Sequence, residues 1–426
     1  MKNWSEKMSE ALMPIAEKIS GNRYLSAVKE GFFGAMPILI VGSLFLLFTS
    51  LPFEGYSDFM ARMFSDKWMD FFYIPYQVSY QLMTLFVVVG IAKSLAEYYR
   101  IDTKAAITLS LVGIFILTPV IVTEDKIKGF PLSNLSASGL LLCILATCLA
   151  VEILRYCLQK GWTIKMPDSV PENIAKSFAS VIPAFFVFLT FNIIRLVFSL
   201  TPFGNAQTFI FQTLQKPLQA LGSTLPATII VLAVESIIWC FGIHGSSIVS
   251  SVMNPIWYSL SAENAAAFEA GTAMANVVNY QFIAHFVKIG GVAATLGLAI
   301  ACLLRSRSNQ YKALGKLAII PSVFNINEPL IFGMPIVLNP VMMIPFVAAN
   351  IAAGTVTYLA IASGLCPMIN GLNLPYTTPV IISGFILCGW RGALLQIVLL
   401  LISIGIYYPF FAMLDKQAYE TEQSES

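Results

Sequence analysis

Uncharged apolar runs of membrane-crossing length recur along this chain and leave it few folds to adopt. The clearest are residues 31–51, 71–92, 105–122, 135–151 and 178–200. About 18 or more such residues make a helix that spans hydrocarbon. The last run carries Arg195 near its end, where a long side chain can snorkel to the interface. Hydrophobic residues are 57% of the chain and charged residues 11%. The mean hydropathy is +0.76. Soluble domains carry roughly twice that charge fraction, so the chain reads as a polytopic integral membrane protein. Inside a bilayer every backbone polar group must find a partner within the protein, and an all-α architecture meets that demand. The net charge of +2 is near balance and points to no nucleic-acid partner.

Basic residues alternate between the loops. Lys2, Lys7, Lys18, Arg23 and Lys29 precede the first run, and Lys93, Arg100 and Lys104 follow the second. Arg155, Lys160, Lys165 and Lys176 follow the fourth, whereas Glu54, Asp58, Asp66 and Asp70 dominate the first loop. The positive-inside rule predicts a cytoplasmic N-terminus. The next basic cluster, Arg305, Arg307, Lys312 and Lys316, is expected inside, and so is a short tail over 416–426. Further spans are expected at 227–243, more weakly at 248–260, then at 282–304, 337–362 and 392–414, for about ten in all. Residues 1–30 lack the apolar core of a signal peptide.

Two stretches resist reading as straight helices. Residues 317–333 and 370–390 contain Pro321, Asn325, Asn327, Pro329, Asn370, Gly371, Asn373, Pro375 and Pro379. Proline removes a donor and asparagine competes for backbone bonds. Broken backbone at membrane depth survives where it is buried in protein or lines a wet cavity, so re-entrant hairpins of the kind that build transporter sites are expected. Residues 203–225, with Gln207, Gln212, Gln215, Lys216 and Gln219, read as an amphipathic helix lying at the outer interface.

Between Lys316 and Arg391 the only charged residue is Glu328. A carboxylate in such a run is expensive and marks a functional candidate; the plain alternative is a polar cap at a hairpin tip. Functionally, desolvation leaves Glu328 a proton acceptor or a strong hydrogen-bond acceptor. Asn325 and Asn327 offer amides to the same ligand, and Pro329 fixes the backbone beside the carboxylate. His244, one of two histidines, interrupts another apolar run between Gly242 and Gly245, which permit close approach of backbone or ligand. Trp239 has a flat face suited to stacking on a pyranose ring, or to packing. Asn276 and Asn279, three apart, are expected on one helical face, serving a ligand or an interhelical bond. His285 and Lys288 fall in a predicted span, where one of them pairs with Glu235; these three read as structural.

No Walker loop, zinc-spaced ligand set or glycine-rich nucleotide loop occurs, so neither cofactor nor metal is called for. Energy is expected from a partner or an ion gradient. The seven cysteines lie mostly in apolar stretches without a CxxC pair and read as packing thiols.

A resemblance sharpens this. Asn22-Arg23-Tyr24-Leu25, the stretch from Gly31 to Gly42 with its Met36-Pro37 step, and Met166-Pro167 through Pro171 to Ser177 and Pro183 recur in one family. So do Phe241-Gly242-Ile243-His244-Gly245 and Phe324-Asn325-Ile326-Asn327-Glu328-Pro329. In this order, over residues 8–415, they resemble enzyme IIC, the membrane component of the bacterial phosphoenolpyruvate:sugar phosphotransferase system, lactose/cellobiose/diacetylchitobiose type. The resemblance implies a ten-span homodimer over residues 1–415, with an N-terminal scaffold half (about 1–200) and a C-terminal sugar-binding half (about 226–415). It implies catalytic roles for Glu328 and His244 at the primary hydroxyl of a β-linked disaccharide, with Trp239 and Asn279 on the sugar. Asn276, Asn325, Asn327 and Gly245 complete the expected substrate site. The phosphate would come from a phosphocysteine on a separate IIB protein, fed by IIA and the general proteins of the system. The runner-up is a proton- or sodium-coupled secondary sugar transporter with Glu328 and His244 as relay. Glu235, one turn from Trp239, is less typical of the family.

Overall fold

The structure, a computed structural model, describes residues 21–49, 56–65, 67–122, 125–167, 170–334, 336–337 and 339–425. The described chain divides into two compact units: Gly21–Ala220 with Asn254–Ala262, and Leu221–Met253 with the chain from Glu263 onward.

The first unit contains α1 (Arg23–Thr49), α2 (Tyr56–Phe64), α3 (Trp68–Gln81), α4 (Met83–Tyr99) and α5 (Thr103–Leu117). A minimal antiparallel ribbon, β1 (Ile121–Val122) on β2 (Lys128–Gly129), follows. Then come α6 (Leu140–Gln159), α7 (Glu172–Ala179), α8 (Val181–Ser199), α9 (Ala206–Ile210) and, after a π-helical turn, α10 (Lys216–Gly222). Small residues let the helices approach. A Cβ on Gly90 would sit 2.7 Å from the Gly31 Cα, so α1 and α4 meet backbone to backbone. Between α4 and α5 the chain turns sharply: Arg100 is left-handed at φ 55°, and the Asp102 carboxylate caps α5 by accepting the Ala105 N–H at 2.7 Å. The helix predicted to end near residue 151 continues to Gln159, which brings Glu152 and Arg155 onto it. Glu152 accepts from Tyr24 Oη at 2.8 Å, from Tyr99 Oη, and from Arg155 Nε at 2.7 Å, so this charge is fully partnered.

The polar stretch expected at a membrane interface turns three of its glutamines into the protein. Gln207 donates to the Asn134 carbonyl at 3.1 Å, and Gln215 and Gln219 donate to Ser259 Oγ at 3.0 and 2.6 Å. All three glutamines are buried, whereas Leu214, Leu218 and Leu221 are exposed. The exposed side is mixed, since Gln212 and Lys216 are exposed together with those leucines.

The second unit starts with α11 (Leu225–Cys240). Helix α12 (Gly245–Glu269) contributes its middle to the first unit and both ends to the second. Then follow α13 (Leu296–Arg305), α14 (Asn309–Val323), α15 (Glu328–Gly333), α16 (Pro340–Ala362) and α17 (Ile382–Glu425). Residues 282–304, expected as one span, are not a straight helix. A π-helical turn (Phe282–Val287) gives way to left-handed Gly290 (φ 76°) and Gly291 (φ 99°), and α13 leaves at 52°. Residues 317–333 break at Asn325 (φ 62°) and residues 370–380 are irregular, as the prolines and asparagines predict. Helix α17 is itself interrupted at Cys388 and Gly389.

Among the described residues five helices are long and apolar enough to cross a membrane, and three bent pairs bring the number to at most eight by length and composition. About ten were expected. The two expected spans not counted are those at α5 (Thr103–Leu117), which is only fifteen residues long, and at 248–260, which lies in a helix that does not meet the same test.

The far end of α17 fastens the start of α14. Asp415, buried, accepts the main-chain N–H groups of Arg307 (2.7 Å) and Ser308 (3.1 Å) and the Ser308 hydroxyl (2.8 Å). Glu422 accepts those of Asn309 (2.9 Å) and Gln310 (3.0 Å). Two carboxylates seven residues apart on one helical face thus satisfy donors that a helix N-terminus leaves open.

Candidate functional site

The expected site residues lie in the second unit, on or beside its breaks. His244 closes the turn between α11 and α12 and is the N-cap of α12. Its Nδ1 accepts the Ser247 main-chain N–H at 3.1 Å and lies 2.9 Å from the Ser247 hydroxyl. A peptide N–H can only donate, so Nδ1 is the unprotonated nitrogen and the ring hydrogen belongs on Nε2. Trp239 lies against it, ring centroids 4.3 Å apart, and donates its indole N–H to Ser246 Oγ at 3.1 Å. Trp239 is 4% exposed, so the face expected to stack on a sugar is largely covered.

Gly245 is explained by packing. A Cβ there would collide with the Glu235 carbonyl and reach 3.0 Å from the Trp239 ring. The close approach is made by α11 itself. Gly242, at φ 80°, sits against Val337.

Glu328 opens α15, where an acidic group suits the exposed N–H groups of a first turn and Pro329 loses nothing by lacking its own. The carboxylate is exposed, so protein packing does not supply the desolvation expected from sequence. Behind it, Leu330 and Ile331 enter the apolar cluster that also holds Trp239, Cys240, Met334 and Ile336. The His244 turn and the Glu328 segment therefore stand on one core.

Asn325 and Asn327 work on the backbone. Asn325 Oδ1 accepts the Gly290 N–H at 2.9 Å, while its Nδ2 donates to the carbonyls of Tyr376 (2.6 Å) and Thr378 (3.2 Å). Asn327 Nδ2 donates to the Val292 carbonyl and to Thr295 Oγ1, both at 2.9 Å. The accounting of the broken strap at 290–295 goes further. Thr295 Oγ1 donates to the Gly290 carbonyl at 2.8 Å, Tyr407 Oη to Ala293 at 2.8 Å, and Ser403 Oγ to Ala294. These contacts satisfy backbone groups that the helix break would otherwise leave buried and unpaired. The side chains expected to present amides to a ligand instead hold the loop that bears Glu328.

Asn276 and Asn279 do not share a helical face, because residues 272–279 are irregular. Asn276 exchanges backbone bonds with the Asn264 side chain (3.0 and 2.8 Å) and donates to Glu263 Oε2 at 3.0 Å. Asn279, fully buried, accepts the Phe282 N–H at 3.0 Å through Oδ1 and so starts the π-helical turn. The pairing expected of Glu235 is present: Lys288 Nζ lies 2.6 Å from Glu235 Oε1. His285 is buried apart from that pair, its carbonyl accepting from Gln396 Nε2 at 2.8 Å.

Sequence reading passed over Gln396 and the Gly290-Gly291 step. Gln396, fully buried in α17, also accepts the N–H groups of Ile381 (2.6 Å) and Gly384 (2.9 Å) through Oε1. The signals were present: a lone amide in an apolar run, and a diglycine inside a predicted span.

Comparison with known proteins agrees with this architecture. The family model described as "Phosphotransferase system, EIIC" matches residues 29–349. The lichenan permease IIC component of Bacillus subtilis (strain 168) is 38% identical over 433 residues, covering 99% of this chain and 96% of that protein. The cellobiose-specific EIIC component of Geobacillus stearothermophilus is 38% identical over 438 residues, covering 100% and 97%. The crystal structure of the transporter ChbC, the IIC component from the N,N'-diacetylchitobiose-specific phosphotransferase system, superposes with a TM-score of 0.94 at 38% identity, covering 98% of this chain and 100% of that one. The chain belongs to the EIIC family of the phosphotransferase system.

Proposed function

We propose that this protein is a sugar permease that carries a β-linked disaccharide of the cellobiose or chitobiose kind across the bacterial inner membrane and releases it as a phosphate ester. The observation that carries the reading is full-length likeness to IIC components named for cellobiose and diacetylchitobiose. It acts as a ten-span homodimer with both termini in the cytoplasm, and a IIB phosphocysteine is the donor.

The chemistry assigned to the site is in-line phosphoryl transfer. The sugar's primary hydroxyl oxygen forms a bond to phosphorus as the S–P bond to the IIB cysteine breaks, and the hydroxyl proton passes to Glu328. Glu328 suits that role because it is an exposed carboxylate on a rigidly held loop. His244 suits the role of donor through Nε2–H, orienting the hydroxyl or the transferring oxygens. Charge on the esterified sugar then keeps it from returning through an uncharged pathway.

The test is uptake of radiolabelled cellobiose into vesicles with or without phospho-IIB inside. The expected result is accumulation as sugar phosphate that depends on phospho-IIB and survives an uncoupler. Accumulation of free sugar, abolished by the uncoupler, overturns it in favour of ion-coupled transport.

A further inference from the structure

We propose that the Glu235–Lys288 ion pair is a positioning element that sets His244 and Glu328 in register for phosphoryl transfer, an inference that rests on the function proposed above. Glu235 is fully buried and the Lys288 side chain is 18% exposed, with 2.6 Å between Nζ and Oε1. Two ionisable groups in an apolar unit cost more than two neutral ones, so neutral packing alone does not account for them.

What the pair joins gives it a task. Glu235 lies one turn before Trp239 on α11. The Glu235 carbonyl is the surface on which Gly245 rests, and Trp239 is the surface on which His244 rests. This single turn of α11 is therefore the seat of the His244 turn. Lys288 ends the π-helical turn and leads straight into Gly290 and Gly291. Gly290 donates to Asn325, Gly291 abuts the Asn327 side chain, and Asn327 donates to Val292. The strap after Lys288 is therefore the seat of the Glu328 loop. The ion pair is a direct polar tie between the two seats. It is also single-pronged, because the buried Glu235 Oε2 makes no hydrogen bond.

The alternative is that the lysine merely neutralises a buried carboxylate. Three variants separate the two: Lys288→Met, Glu235→Gln, and the double variant Glu235→Gln/Lys288→Met, which removes the tie without leaving an unpaired charge. Cellobiose binding and transfer from phospho-IIB are measured on each. The third readout is carbethoxylation of His244 by diethylpyrocarbonate, with His285 silent because it is 1% exposed. For the double variant we expect binding within about threefold of the parent, transfer reduced by at least about tenfold, and His244 reactivity raised by about threefold or more. Parental transfer and parental His244 reactivity in that variant overturn the proposal, as does loss of binding in step with transfer. Should a single variant fail to fold, the double variant decides. If the parent protein forms no sugar phosphate, the function proposed above fails by itself. His244 reactivity needs neither sugar nor IIB, so it still decides whether the pair holds the His244 turn.

Discussion

His244 Nδ1 is committed to the main-chain N–H of Ser247, 3.1 Å away, so this side chain holds the start of α12 while standing in the turn proposed for phosphoryl transfer. The two uses separate by substitution. Asn at 244 keeps an acceptor for the cap and loses the distal donor. His244→Asn is expected to melt within about 1 kcal/mol of the parent while transfer from phospho-IIB falls roughly hundredfold. His244→Ala loses the cap as well, for about 1 kcal/mol more. Thermal unfolding in detergent and a sugar-phosphate assay read the two effects.

Glu328→Gln removes the proton acceptor and preserves size and hydrogen bonding. Sugar phosphate formation is expected to fall by about 10²- to 10⁴-fold, with equilibrium sugar binding changed by no more than about threefold. Normal transfer by this variant rules out the base role. Loss of binding alongside transfer would make Glu328 a sugar ligand first.

Asn327→Ala leaves the Val292 carbonyl and Thr295 Oγ1 without their 2.9 Å donor. The expected cost is about 1–3 kcal/mol of stability. Asn327→Asp is expected to be worse, because an acceptor then faces the Val292 carbonyl. Midpoints of unfolding, compared at equal detergent concentration, check the order.

Gly291 and Gly271 are both left-handed, at φ 99° and 64°, but their surroundings differ. A Cβ on Gly291 would strike the Asn327 side chain, whereas nothing lies within 4 Å of one on Gly271. Gly271→Ala is expected to fold at a cost of about 1–2 kcal/mol, the ordinary penalty for that conformation. Gly291→Ala is expected to lose most of its monodisperse yield in size-exclusion chromatography. Equal yields would show that the strap at 290–295 yields freely.

Asp415→Ala strips three hydrogen bonds from the start of α14. About 1–2 kcal/mol of stability is expected to be lost, with Asp415→Asn in between. Unfolding midpoints of the two variants measure it.

How far the molecule could be read from its letters follows from which forces act locally. Apolar runs announced most helices, because burial in lipid needs only composition and length. Pro321, Asn325 and Asn327 announced the break before Glu328, because proline and asparagine act on their own backbone. Glu235 and Lys288 were a sound match, since two opposite charges in apolar runs have few other partners. Long-range hydrogen bonding was not legible. That Asn325 and Asn327 spend their amides on residues 290–295 and 376–378 depends on chain segments some thirty to fifty positions away. The burial of Gln207, Gln215 and Gln219 beside exposed Gln212 and Lys216 was not legible for a related reason: helical periodicity is silent on which polar side chains find partners inside the protein.

Asp415 and Glu422 fasten the end of the longest helix to the first turn of α14, and α14 runs directly to the loop of Glu328. A fifteen-residue helix transmits tilt from one end to the other over about 22 Å. The far end of α17 is thus a handle on the loop of Glu328. A rigid fluorophore placed near Thr421 would share any tilt of α14, so its polarised emission is an optical reading on the segment that leads to Glu328.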